Sequence, residues 1–179
     1  HTILEGENRG KKRLEIKAAL AEIPGVYVPE FVHATYNRNG RPVEMWNSRG
    51  SFPVKRRIEP DLNCLTYPAR AVVPGIRVVH DRYAVEIARG CLQGCRFCQA
   101  GFIYRPYRER SLSNTLNLLR EGLENTGYHE CSFLSLSAGD YSEIETLLEF
   151  AAAANRDSMT SISLPSLRVA SLTSDMIER

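Results

Sequence analysis

The sequence predicts an α/β fold in which strand, loop and helix repeat three times from about residue 83 to the end of the chain. Two observations carry that prediction. Short runs rich in β-branched and aromatic residues alternate with longer segments whose apolar residues recur at helical spacing. Glycine, proline and small polar residues punctuate every junction between them. Such alternation implies a parallel sheet with helical crossovers, because two parallel neighbours cannot be joined by a tight turn. Three units are half of a six-unit barrel or part of an open doubly wound sheet. In both, ligands gather at the carboxyl ends of the strands.

The elements follow in order. Lys11 to Ile23 are good helix formers stopped by Pro24-Gly25. Two strand-like runs flank Asn39-Gly40 and read as a hairpin. From Ser51 to Gly75 the texture is irregular, with four prolines and the basic run Lys55-Arg56-Arg57, a solvated face on ordinary grounds. We expect residues 1–75 to form an N-terminal helix, hairpin and linker, and 76–179 to form the repeating core.

In that core Tyr83 to Ala88 is the first strand. Leu112, Leu116, Leu119 and Leu123 then share one helix face, with Ser111 or Ser113 to cap its start and Gly127 its end. Ser132 to Leu136 is the second strand, followed by the loop Ser137 to Tyr141. Ser142 and Glu145 read as a capping box for a helix presenting Ile144, Leu147, Leu148 and Ala151. Thr160 to Leu164 is the third strand, and the chain ends in the opening turn of a third helix. The first residue is His1 rather than Met, so we expect a piece of a longer protein.

Composition excludes little. The 179 residues are 43% hydrophobic and 25% charged with a net charge of +2, ordinary for a globular chain. Nothing there argues for nucleic acid, and no apolar run approaches the roughly 20 residues of a spanning helix. No signal peptide is visible, so we expect a cytoplasmic protein and no membrane partner.

The chemistry concentrates in "CLQGCRFC". Cys91, Cys95 and Cys98 are three of the five cysteines, packed directly after the first predicted strand. Clustered thiols without a signal peptide point to a metal rather than to disulfides. A closed zinc site needs a fourth ligand, and the nearest histidines, His80 and His129, are not at finger spacing. Three thiolates suffice to hold three corners of a 4Fe–4S cube and leave one iron open. Gly90, Gly94 and Gly101 relax the backbone around it, and Phe97 is an apolar cover or a core aromatic. Cys131 reads as a buried structural thiol, and Cys64 has no assigned role.

The spacing C-x3-C-x-aromatic-C at this place in an α/β unit resembles the signature of radical S-adenosylmethionine enzymes. The resemblance covers roughly residues 76–179. It implies the first half of a partial (β/α)6 TIM-type barrel and a 4Fe–4S cluster on Cys91, Cys95 and Cys98. It also implies reductive cleavage of S-adenosylmethionine to a 5′-deoxyadenosyl radical that abstracts a substrate hydrogen. The family carries Gly-Gly-Glu after its second strand. Here Ala138-Gly139-Asp140 stands in that place, so Gly139 and Asp140 are cofactor-binding candidates, with Phe97 beside the cluster and Ser163 and Arg168 after the third strand. Arg105, Arg108, Glu109 and Arg110 read as a solvated loop in which Glu109 offsets one arginine; the alternatives are that they neutralise an anionic substrate or hold the loop by side-chain to backbone bonds, and we favour the structural reading.

The longer run from Val78 to Ser111 is similar to an uncharacterised branch related to cobalamin-binding radical enzymes and methylthiotransferases. Residues 1–75 would then hold the tail of a cobalamin-binding-like domain, although no D-x-H-x-x-G ligand motif supports cobalamin itself. The resemblance implies an electron donor such as a flavodoxin or ferredoxin. It leaves the substrate open, RNA or protein among the classes, and assigns no catalytic side chain. The alternative is a non-catalytic iron–sulfur or zinc module.

Overall fold

The computed structural model describes residues 1–178, and their side chains except at 154–158, 175 and 178. The chain divides into two compact units, one of residues His1–Glu59 and one beginning at Pro60.

In the first unit α1 (Thr2–Asn8) precedes α2 (Arg13–Ala21), which fills the interior of the predicted helix. α1 was not expected from the sequence. Its Gly6 is buried where a methyl group would meet the Ile16 side chain at 2.7 Å, so the two short helices touch through that position. Strands β1 (Val32–Tyr36) and β2 (Pro42–Asn47) form the expected antiparallel hairpin. The turn is longer than a two-residue Asn-Gly turn. The Gly40 amide donates to the Asn37 carbonyl at 3.0 Å, and the Asn37 side chain accepts from the amides of Asn39 and Arg41. An asparagine that bonds to its own downstream backbone supplies the turn geometry by itself.

The second unit is a mixed α/β fold. Strands β3 (Tyr83–Glu86), β6 (Glu130–Leu134) and β7 (Ser161–Ser163) form a parallel sheet in sequence order. Helices α4 (Leu112–Thr126) and α5 (Ile144–Ser158) make the two crossovers, and α6 (Ser174–Glu178) follows β7. The sheet is small and open, with no closure into a barrel among the described residues. Ser111 caps α4 through the amide of Asn114, and Gly127 ends it at φ 70°, in the left-handed region that glycine adopts without strain.

One core holds these pieces together. Tyr83 and Val85 of β3, Phe133 of β6, Leu119 of α4, and Leu147 and Ala151 of α5 all belong to it. Each large apolar side chain there is worth about 1.5–3 kcal/mol relative to exposure. Residues from Pro60 onward that read as linker fold with this unit, and Leu62 is fully buried.

Two strand ends differ from expectation for one shared reason. The first strand ends at Glu86 rather than running on to Ala88. The Ile87 amide still donates to Leu134, but the Ile87 carbonyl accepts from Arg110. The chain then leaves the sheet as β4 (Ala88–Arg89), which pairs antiparallel with β5 (Arg108–Glu109). With its neighbour diverted, β6 has no partner beyond Leu134. Ser135 and Leu136 keep the strand pattern in sequence but lie outside the ladder.

Candidate metal centre

The cysteine segment is an excursion pinned at its base by the β4–β5 clip, in which Ala88 pairs with Glu109 and Arg89 with Arg108. Gly90 makes the exit possible. Its φ is 91°, and a Cβ there would lie 2.7 Å from the Pro106 carbonyl oxygen and 2.8 Å from that of Tyr104. Only glycine meets both demands without moving backbone. The returning limb is held by Arg108, whose Nε donates to the Pro106 carbonyl at 2.9 Å and whose Nη2 donates to Tyr104 at 3.2 Å. That is the loop-holding role, which the sequence offered as an alternative to a solvated loop.

Cys91, Cys95 and Cys98 are all half-buried free thiols on this loop. The Cys98 amide donates to the Cys95 carbonyl at 3.1 Å, and the Gln93 amide points at Cys91 Sγ, 3.4 Å away. A side chain at Gly94 would meet open space, and Gly94 has no left-handed φ, so the loop leaves room there rather than demanding glycine. Gly101, at the start of the short helix α3 (Ala100–Ile103), would place a Cβ 3.3 Å from the Gln93 carbonyl oxygen. Phe97 is 91% exposed and is therefore not a core aromatic.

Does this segment suit an iron–sulfur group? The donor chemistry does: three neighbouring thiols, none in a disulfide, on a loop with free space at its middle. Among the described residues, no three His, Cys, Asp or Glu side chains stand ready as a metal cage. The fit is thus one of donor type and placement.

The loop reaches the end of the second sheet strand. Gln93 Nε2 donates to Asp140 Oδ2 at 2.9 Å. Asp140 closes a 3₁₀ turn over Ala138–Asp140, and its carbonyl accepts from the Tyr107 hydroxyl at 3.2 Å. The single Tyr107 proton goes chiefly to Glu109 Oε1, closer at 2.7 Å, and burial followed by that carboxylate pushes its phenol well up. Glu109 in turn accepts from the Ser142 amide at 2.9 Å and from the Ser142 hydroxyl. The structure therefore brings the cysteine loop and Asp140 together through Gln93, Tyr107 and Glu109, none of which the sequence analysis assigned to the site. A glutamine between two cysteines carries no periodic or spacing signal that would single it out.

The other candidates lie as follows. A Cβ on Gly139 would lie 2.2 Å from Ser171 Oγ, so Gly139 lets residues 167–171 close against the turn. The Ala138 amide donates to the Ser166 carbonyl at 2.8 Å, which fastens the same contact. Arg168 is exposed on that segment. The Ser163 hydroxyl faces Arg82 Nη1 at 3.4 Å, where Arg82 also pairs with Glu130.

Arg110 looked like a surface residue in sequence and is 1% exposed. Its Nε donates to the Glu86 carbonyl, its Nη1 to Asn114, and its guanidinium lies over the Tyr67 ring at 5.3 Å. Beside it, a cavity of about 420 Å³ opens at the ends of β3 and β6, walled by Tyr67, Tyr104, Leu134 and Leu136 and bearing Glu86 and Arg89. Arg89 makes a two-pronged bond to Glu86, at 2.8 Å from Nε and 2.7 Å from Nη2.

Cys131, in β6, is buried as expected, and desolvation pushes its thiol up to about 12. Among the described residues no helix is long and apolar enough to cross a membrane.

Comparison with known proteins agrees with this placement. The profile of the Radical SAM superfamily matches residues 85–178, from within β3 to the end of α6. Over 124 residues the chain is 36% identical to Uncharacterized protein MJ0966 of Methanocaldococcus jannaschii, a match covering 69% of this chain and 27% of that protein. The chain thus spans about a quarter of that relative's length. With more than half of its residues matched, the three-cysteine loop among them, the chain belongs to the Radical SAM superfamily.

Proposed function

We propose that the chain is a radical S-adenosylmethionine enzyme in which Cys91, Cys95 and Cys98 hold a 4Fe–4S cluster with one iron left for S-adenosylmethionine. The observation that supports this most directly is the tie between Gln93 and Asp140 at 2.9 Å, which sets an acid at the end of the second strand against the cysteine loop. The cluster supplies one electron for reductive cleavage of the sulfonium and release of a 5′-deoxyadenosyl radical.

The chain's own residues have separable tasks. The β4–β5 clip and Gly90 hold the loop at the carboxyl edge of the sheet, where parallel α/β folds place ligands. Asp140, oriented by Gln93, accepts from the methionine ammonium. Arg168, on the segment fastened to the same turn, offers a forked partner to the methionine carboxylate. Phe97, exposed beside Cys98, covers the cluster once it is bound.

In this reading the open three-stranded sheet is the first half of a partial barrel. The run from Val78 to Ser111 supports kinship with the cobalamin-type and methylthiotransferase branch. Electrons arrive from a flavodoxin- or ferredoxin-like donor in the cytoplasm.

Anaerobic reconstitution with iron and sulfide tests the reading. The expected product is brown, with about four irons per chain, and its reduced spectrum changes when S-adenosylmethionine is added. A colourless protein with one zinc, or an iron protein indifferent to the nucleotide, would overturn it.

A further inference from the structure

The cavity at the ends of β3 and β6 carries a feature that the cluster does not use. Glu86 is the last residue of β3 and Arg89 the last of β4, so the strand break at Ile87 turns both side chains into one space. Glu86 occupies two donors of Arg89, on Nε and Nη2. Among the described residues no hydrogen bond occupies Nη1, and the Arg89 side chain is 36% exposed. The guanidinium is thus fixed by one edge and presents the other. The walls are otherwise apolar: Leu134 and Leu136 are 40% and 42% exposed. The Tyr67 hydroxyl is already committed, donating to Ala84 and accepting from the Glu86 amide.

We propose that this cavity binds a molecule with a single carboxylate on an apolar body, and that the free edge of Arg89 grips the carboxylate. The volume, about 420 Å³, lies within the range of small-molecule sites. A planar carboxylate matches a guanidinium edge in two parallel bonds. Glu86 and Arg89 cancel in charge, so a monoanion is accommodated, whereas a phosphate dianion would face Glu86 with no further cation lining the space. Arg89, Gly90 and Cys91 are consecutive, which sets this anchor beside the cysteine loop. Naming the bound molecule as the substrate rests on the function proposed above. The carboxylate site itself does not.

The test uses the full chain without metal, so that a failure of iron loading and a failure of carboxylate binding remain separate results. Saturation-transfer NMR titrations compare 3-phenylpropionate with 3-phenylpropanamide. The acid should bind at least about fivefold tighter, the worth of one charge-assisted bond in a half-exposed site. Arg89→Gln should bring acid and amide within about twofold of each other, with Arg89→Lys between. Leu136→Trp, which fills the wall and leaves Arg89 in place, should weaken both probes together. Arg120→Gln, on the exposed side of α4, should change neither. Equal binding of acid and amide by the wild type, or an unchanged preference in a folded Arg89→Gln protein, would overturn the proposal. S-adenosylhomocysteine, at a concentration where its own binding to the chain is seen in the same spectra, supplies the last arm. Failure to displace 3-phenylpropionate supports a separate carboxylate site; competitive displacement that depends on Arg89 assigns the carboxylate to the nucleotide and overturns the substrate.

Discussion

Gln93 lies between the first two cysteines of the cluster motif, and its side-chain amide donates to the carboxylate of Asp140 at 2.9 Å. Two segments separated by α3, β5, α4 and β6 are thereby locked to each other at the carboxyl edge of the sheet. Asp140 is also fixed from behind, since its carbonyl accepts from Tyr107. A carboxylate held at one oxygen by Gln93, on a backbone that Tyr107 also contacts, is pre-oriented for a cationic group, and loss of orientation should show in binding before it shows in folding.

Gln93→Ala should therefore weaken S-adenosylmethionine binding about 2- to 10-fold, the equivalent of one ordinary hydrogen bond, while iron loading stays near the wild-type level. Asp140→Asn should cost more, about 10- to 100-fold, because it removes the charge itself. Equilibrium binding to the reconstituted protein, with iron content measured on the same samples, decides the matter. If both variants lose thermal stability yet keep the wild-type affinity, Asp140 is a structural residue.

The cysteines should separate into two groups. Alanine at Cys91, Cys95 or Cys98 should abolish the cluster, since losing one of three ligands leaves the iron without a stable cage. Alanine at Cys64 or Cys131 should spare it. Cys131 is 1% exposed with its thiol pushed up to about 12, so it is inert to alkylation and far from thiolate at neutral pH. Iron and sulfide analysis of the five variants is the check, and full iron in Cys95→Ala would falsify the ligand assignment.

Gly90→Ala should be among the most damaging single-methyl changes in the chain. The new Cβ would lie 2.7 Å and 2.8 Å from two carbonyl oxygens and would force a residue with a side chain to φ 91°. Backbone cannot swing aside as a side-chain end can, so the left-handed penalty and the overpacking add to roughly 2–4 kcal/mol. Chemical denaturation would measure it. Gly94→Ala, with open space at the same point, should be nearly silent in the same assay.

The sequence made the repeating architecture and the three-cysteine loop legible because both are local patterns. Leucines at helical spacing give α4, and Ser111 and Gly127 cap it as read. The strand ends were not legible. Ile87 continues the apolar pattern of β3, yet its carbonyl is taken by Arg110, a partner far along the chain. Arg110 itself sits in a run of charged residues that reads as solvated. Backbone and side-chain oxygen bonds and the Tyr67 ring, invisible to any window of sequence, draw it inside. Asp140 is singled out by its place after the second strand, whereas its contacts with Gln93 and Tyr107 emerge only from geometry.

The packing of α4 on β3 yields the last prediction. Gly122 of α4 faces the ring of Tyr83, and a methyl group there would lie 2.0 Å from the ring carbon that bears the hydroxyl. The helix reaches the sheet only because this position has no side chain. Gly122→Ala gains about 1 kcal/mol of helix propensity but must push the ring or the helix outward, typically a cost of 1–3 kcal/mol and more when the neighbour is rigid. We therefore expect net destabilisation, relieved in part by Gly122→Ala combined with Tyr83→Leu. The hydroxyl of Tyr83 is buried with no hydrogen-bond partner, and desolvation pushes its phenol up to about 12. Tyr83→Phe should then be neutral or stabilising by up to about 1 kcal/mol, since it removes an unpaired polar group and keeps the ring. The sign of the pH dependence follows. The folded state binds the phenolic proton more tightly than the unfolded chain does, so stability from this group is intact below about pH 10 and falls between about 10 and 12. Tyr83→Phe should flatten that alkaline decline in pH-dependent unfolding curves. An unchanged alkaline decline in the phenylalanine variant would mean that the Tyr83 hydroxyl is not desolvated in the folded protein.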